Sequence, residues 1–241
     1  MAWTVLRNAA LQPFGISLPV AVPVHDRTGY ERLFRSRYRT IIDIGAHAGE
    51  FAVLAHELVP DALIWSFEPL PGPYPRLQKV IDSCAEGSRV FQMALGDREQ
   101  ILEMIEYPFT PCSSFLRFRG IGRRMFPYMI GRGTRHAVPV RRLDDVLSDT
   151  QLNSPVLMKI DVQGYEDRVL RGAEKTLRQT DAVLMETSFI ATYDDQVLFA
   201  DLRKQMEALG FVYAGAISTH RALIGGKTVQ EDSLFLKTKT S

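Results

Sequence analysis

The sequence predicts an α/β domain built on a mostly parallel, doubly wound sheet, and three observations carry that expectation. From residue 39 onward short apolar runs alternate with amphipathic stretches. The runs are apolar along successive residues, as strands covered on both faces are, and the last two runs have no helix between them. The expected strands are "TIIDIG" (40–45), "ALIWSFEP" (62–69), "RVFQMAL" (89–95), "PVLMKIDV" (155–162) and "AVLMETSF" (182–189). Helices are expected over 49–59, 74–85, 165–178 and 195–209, with Gly210 as the stop of the last. "FVYAGAIS" (211–218) and "SLFLKTK" (233–239), joined through Gly225 and Gly226, should pair antiparallel, because a parallel pair needs a crossover.

The bulk properties fit one such domain. A chain of 241 residues, 46% hydrophobic and 24% charged, buries a full core. A formal net charge of +1 provides no overall field to recruit nucleic acid or an acidic membrane. Cys84 and Cys112 lie far apart, without CxxC spacing, which points to a reducing, cytoplasmic setting. Residues 1–38 begin apolar but are broken by Pro13, Pro19 and Pro23, so they match neither a secretory signal nor a membrane span. The expectation is an extension packed on a domain of residues 39–241, with peripheral membrane contact as the other reading.

Four acids fall at or near expected strand ends: Asp43, Glu68, Asp161 and Glu186. In an open α/β sheet ligands bind beyond the carboxyl ends of the strands, and carboxylates gathered there imply a polar crevice. The stretch "DIGAHAGEF" places Gly45 and Gly49 after Asp43, where the chain turns from strand to helix and a ligand would approach bare backbone. A pyrophosphate wants G-x-G-x-x-G with exposed N–H groups at the helix start. Here the spacing is Asp43-x-Gly45-x-x-x-Gly49, and the acid would repel that anion. Asp43 suits a cation, such as the ammonium or sulfonium of S-adenosylmethionine, and Glu68 suits a bidentate hold on ribose hydroxyls.

The motifs "IIDIGAHAGEF", "FEP" at 67–69, "ALGD" at 94–97, "MKIDVQGYEDRVLRGA" at 158–173 and "LMETS" at 184–188 resemble, in order, the FkbM family of S-adenosylmethionine-dependent methyltransferases. The resemblance implies a Rossmann-like class I methyltransferase fold with a seven-stranded, mostly parallel sheet and a C-terminal antiparallel hairpin strand. It implies O-methylation of a hydroxyl on a sugar, glycolipid or polyketide-type acceptor. On matching positions it assigns Asp43, Gly45 and Gly49 to the methionine part of the cofactor, Glu68 to the ribose, and residues 93–97, with Met93, Ala94 and Asp97, to the adenine surroundings, and it counts His47, Pro69 and Asp161 among the cofactor-binding residues. His47 stands where the family usually has Asn, and Gln163 where it usually has Glu. These departures leave open a non-catalytic binding protein on a degenerate fold; an NAD-dependent oxidoreductase ranks third, weakened by Asp43 and by the missing third glycine of its fingerprint.

Methyl transfer is an in-line displacement in which alignment supplies most of the rate, so one base for the acceptor proton suffices. Asp161 is the first candidate, followed by Glu186 and His136; the alternative for Asp161 is a structural acid paired with Lys159. No metal is required by any spacing. Residues 107–142 hold eight arginines, namely Arg117, Arg119, Arg123, Arg124, Arg132, Arg135, Arg141 and Arg142, and no acid. With Phe115, Phe118, Phe126 and Tyr128 among them, they read as a basic lid over an anionic, small-molecule, glycan or lipid-linked acceptor. A single-stranded RNA groove ranks below that.

Overall fold

The computed structural model describes residues 27–118, 133–221 and 228–238. In chain order the elements are α1 (Arg27–Leu33), β1 (Thr40–Ile44), α2 (Glu50–Leu58), β2 (Leu63–Phe67), α3 (Tyr74–Ile81), β3 (Arg89–Phe91), β4 (Ala94–Leu95), β5 (Gln100–Glu106), β6 (Thr134–Arg141), α4 (Leu143–Val146), β7 (Val156–Ile160), α5 (Glu166–Gly172), α6 (Glu174–Arg178), β8 (Ala182–Ser188), α7 (Phe199–Ala208), β9 (Phe211–Arg221) and β10 (Thr228–Lys237). Seven strands form the main sheet in the order β3-β2-β1-β7-β8-β10-β9. The first five are parallel, and β10 runs antiparallel to both β8 and β9.

Strand alternation sends successive side chains to opposite faces, and the two resulting cores carry the helices on both sides. Ile41, Ile64, Leu157 and Leu184 face Tyr30, Phe34, Phe51, Ala55 and Leu77, contributed by α1, α2, α3 and the turn after α1. Ile42, Ile44, Phe67, Met158, Ile160 and Met185 face Leu143, Val169, Leu170, Leu177, Leu202 and Met206 from α4 to α7. The described part of the expected N-terminal extension thus builds one core; residues 1–26 lie outside the described residues, as do Gly225 and Gly226. Among the described residues no helix is long and apolar enough to cross a membrane.

Several elements depart from the sequence expectation. The run 89–95 is two strands: β3 ends the main sheet at Phe91, whose ring stacks on Phe67 at 4.6 Å, and β4 turns away to pair with β6. β4, β6 and β5 make a second, three-stranded sheet, so the C-terminal part of the 107–142 segment is its central strand. Arg135 of β6 pairs with Glu103, and Arg141 with Glu99, so these arginines are partnered along that sheet. The helix over 165–178 breaks at Ala173, where Asp144 takes over the start of α6 by accepting from Lys175 N at 2.9 Å, Thr176 N at 2.8 Å and Thr176 Oγ1 at 2.8 Å. A carboxylate on the free N–H groups of a helix start is a strong cap, so the break is stabilised rather than strained. The helix over 195–209 begins only at Phe199, because Gln196 Oε1 holds the preceding turn through Thr192 N at 2.8 Å and Tyr193 N at 3.3 Å.

Gly172 ends α5 against the β4 loop: a Cβ there would lie 1.9 Å from the Gly96 carbonyl oxygen. Gly172→Ala is therefore expected to lower the unfolding free energy by about 1–3 kcal/mol, the range for overpacking, read as a lower urea midpoint with an unchanged slope.

Candidate active site

The four acids converge because β2, β1, β7 and β8 are parallel neighbours, so their carboxyl ends share one edge. Asp43 is fully buried and lies in register between Ser66 and Lys159. Neither of its carboxylate oxygens has a hydrogen-bond partner among the described residues; Lys159 Nζ stands 3.8 Å from Oδ1. Burial, only partly offset by Lys159, raises the Asp43 pKa to about 6. Lys159 lies 3.3 Å from Asp161 Oδ2 and 5.5 Å from the centre of the Phe51 ring. Burial opposes its charge, but Asp161, Asp43 and Asp232 outweigh that and raise its pKa.

The β1–α2 turn is fixed by close approach. Gly45 has φ +81°, and a Cβ on it would sit 1.9 Å from the carbonyl oxygen of Asp161. Gly49 lies against Val80 and Leu77 of α3. A side chain at either glycine would meet the protein's own atoms, so both are required for the shape of the turn. His47, also at positive φ (48°), donates its N–H to Glu68 Oε2 at 2.9 Å, while Leu70 N donates to Oε1 at 2.8 Å. Pro69 between them has no N–H to offer. Each Glu68 oxygen is thereby anchored once and keeps acceptor capacity. Burial exceeds these two bonds and raises the Glu68 pKa to about 7.

Of the residues assigned to the adenine surroundings, Ala94 is buried in β4 and Met93 packs against the core. Asp97 is engaged by Arg171 of α5 at 3.3 Å.

Asp161 and Glu186 are brought together, and the residue that joins them was missed as a contributor. Gln163 Nε2 donates to Asp161 Oδ1 at 2.9 Å and to Glu186 Oε2 at 2.7 Å. Its Oε1 accepts from the Tyr193 hydroxyl at 3.0 Å. Glu186 sits opposite Asp232 of β10, and burial, then Asp161 and Asp232, push its pKa well up. The loop 161–166 is fastened by Glu166, which accepts from Gly164 N at 3.0 Å and Val162 N at 3.3 Å. The expected pairing of Asp161 with Lys159 is present as well, so Asp161 has a structural partner and, at 30% side-chain exposure, remains reachable. His136 stands apart from this pair on β6, its Nε2 2.6 Å from Glu106, and Glu106 lies against Gly72 in the loop after Glu68.

The described start of the basic segment spans these strand ends. His47 Nε2 is 2.7 Å from Thr110 Oγ1 and its Nδ1 3.2 Å from Glu50. The Cys112 carbonyl accepts from Tyr193 at 2.9 Å, and Ser114 Oγ donates to the Gln163 carbonyl at 2.7 Å. Arg119, Arg123, Arg124 and Arg132, with Phe126 and Tyr128, lie outside the described residues. Among the described residues no three His, Cys, Asp or Glu side chains are grouped to hold a metal ion. Tyr193 carried no signal in sequence, since "TYDDQ" reads as an ordinary loop.

A family model described as "Methyltransferase FkbM domain" matches residues 43–213. The chain is 29% identical over 153 residues to 31-O-demethyl-FK506 methyltransferase FkbM of Streptomyces tacrolimicus, a match covering 56% of this chain and 59% of that protein. It is 28% identical over 176 residues to 2-O-methyltransferase NoeI of Sinorhizobium fredii, covering 65% of this chain and 66% of that protein. The crystal structure of methyltransferase FkbM from Methylobacillus flagellatus KT shares the fold at TM-score 0.52 and 15% identity, over 83% of this chain and 44% of that one. The match therefore spans less than two thirds of the Streptomyces relative.

The raised acids set a pH dependence. Asp43, Glu68 and Glu166, at about 6, 7 and 7, all lie above their unfolded values, so their contribution is complete at low pH and is lost as pH rises through those values. Glu50, lowered to about 2, acts only below its unfolded value and leaves that window alone. Without ligand the melting temperature is expected to fall between about pH 4 and pH 7, from the unfolded to the raised values of these acids, and Glu68→Gln should flatten that fall, as checked by calorimetry across the range.

Proposed function

We propose that this chain, which belongs to the FkbM methyltransferase family, is an S-adenosylmethionine-dependent O-methyltransferase acting on a hydroxyl of a sugar, glycolipid or polyketide-type acceptor. The observation that carries the cofactor reading is the buried Asp43 carboxylate, whose oxygens have no hydrogen-bond partner among the described residues and only Lys159 at 3.8 Å as an ion pair, one strand away from the doubly anchored Glu68. A carboxylate buried without hydrogen bonds is costly, and a ligand carrying cationic and donor groups at that spot would offset the cost. When bound, S-adenosylmethionine supplies an electrophilic methyl group on a sulfonium. Glu68 would accept the ribose hydroxyls through its remaining lone pairs, and Asp43, directly or through water, would face the cationic part. Asp161, more exposed than Asp43 and reached by Gln163 and Lys159, would orient the acceptor hydroxyl and take its proton.

The hydroxyl acceptor is supported by the names of the two relatives, both of which specify O-methylation. The binding-protein alternative rested on His47 and Gln163, and both are built into the site rather than left as gaps. An NAD site is disfavoured by Asp43 at the strand end and by family membership.

Titration calorimetry with S-adenosylhomocysteine is expected to give micromolar binding, with no heat from NAD. Glu68→Ala should weaken that binding by about 1.5–3 kcal/mol, the worth of hydrogen bonds to a charged group; an unchanged affinity removes Glu68 from the site. With an acceptor identified by mass spectrometry of an added methyl group, Asp161→Asn should lower turnover by about 10²-fold while cofactor affinity holds.

A further inference from the structure

We propose that Gln163 is a positioning residue: its side-chain amide, set between Asp161 and Glu186, holds the Asp161 carboxylate in its acceptor-facing place and keeps the two acids from sharing one proton. This rests on the reading of Asp161 as the acid that serves the acceptor.

A primary amide has two N–H donors, and Gln163 spends them on Asp161 Oδ1 at 2.9 Å and Glu186 Oε2 at 2.7 Å. The single Tyr193 O–H is shared between the amide oxygen at 3.0 Å and the Cys112 carbonyl at 2.9 Å. Two carboxyl groups on one side, each taking an N–H, fix which way the amide points. The backbone holds it there as well. Gln163 is left-handed, at φ +54°, followed by Gly164 at +98°, and its carbonyl accepts from Ser114 Oγ at 2.7 Å.

The charges around the pair show why a neutral donor matters. Facing it are Lys159 from β7, Asp43 from β1, Asp232 from β10, Glu166 from the start of α5, and Tyr193 with Cys112, while Gln230 of β10 reaches Glu186 Oε2 at 3.2 Å. Among these described groups Lys159 is the cation set against several acids. A donor to the charged form of a carboxyl favours ionisation, and a like charge beside it opposes ionisation. The amide does the first without adding charge. The glutamate usual in the resembling motif would do the second, placing three carboxyls within hydrogen-bond reach of one another.

The test is a carbon-detected NMR titration of the Asp and Glu carboxyls in the wild type, Gln163→Met and Gln163→Glu, with S-adenosylhomocysteine affinity measured in parallel. Gln163→Met removes both donors at similar volume and should raise the lower apparent titration of the pair by about one to two pH units. Gln163→Glu should raise it too and add a third coupled carboxyl, with the melting temperature of that variant falling more steeply with pH than in the wild type. Cofactor affinity should stay near the wild-type value in both. If the pair's titrations stay in place in folded variants, the proposal is overturned; should Gln163→Met not fold, the nearly isosteric Gln163→Glu decides. Failure of the wild type to bind S-adenosylhomocysteine would instead count against the cofactor reading and leave the titration result standing.

Discussion

Lys159 is the charge on which the edge of the sheet depends. Its ammonium is 11% exposed and sits between Asp43 at 3.8 Å and Asp161 at 3.3 Å, over the Phe51 ring. Two carboxylates this close in a dry setting would otherwise repel each other, and removing one partner of such a buried cluster costs on the order of 3–5 kcal/mol. The same residue pins register. Asp43 and Lys159 are paired across β1 and β7, and a one-residue slip would turn Lys159 toward the face where Met158 and Ile160 pack. Charge pairing therefore sets both the alignment of the two central strands and the depth at which the acids stand.

Behind Glu186 the C-terminal hairpin supplies a second, neutralising layer. Asp232 accepts from the Tyr30 hydroxyl at 3.1 Å and from Ser218, and Glu231 accepts from Tyr213 and Ser233, both at 2.7 Å. Hydroxyls satisfy these acids without adding charge, which is the device Gln163 uses one strand away. Through Tyr30, helix α1 reaches the carboxylate that stands opposite Glu186.

The sheet was legible because its parallel strands are apolar runs that end in acids, and a local pattern was enough to place Asp43, Glu68, Asp161 and Glu186 on one edge. What was illegible depended on partners distant in sequence. "ILEMIE" alternates, with Ile101 75% exposed, but the pairing of β5 with β6 crosses some thirty residues, and the arginines of β6 read as a free charge run until Glu99 and Glu103 are seen opposite them. The break at Ala173 is likewise written at Asp144, on another helix. Gln163 looked like a lost carboxylate because its meaning lies in Tyr193 and Ser114, which no spacing connects to it. The glycines were noticed for the turn, but the atom that requires one at position 45, the Asp161 carbonyl oxygen, lies more than a hundred residues away.

The segment through Thr110, Cys112 and Ser114 is hydrogen-bonded to the loops that follow β1, β8 and β7. Each such bond contributes about 1 kcal/mol net, so freeing all three together costs about 3 kcal/mol, a slowing on the order of a hundredfold relative to an untethered segment. Local opening of the segment is then governed by three side chains, His47, Tyr193 and Ser114, that tie it to three separate strand-end loops, so its detachment is a concerted event rather than a gradual fraying.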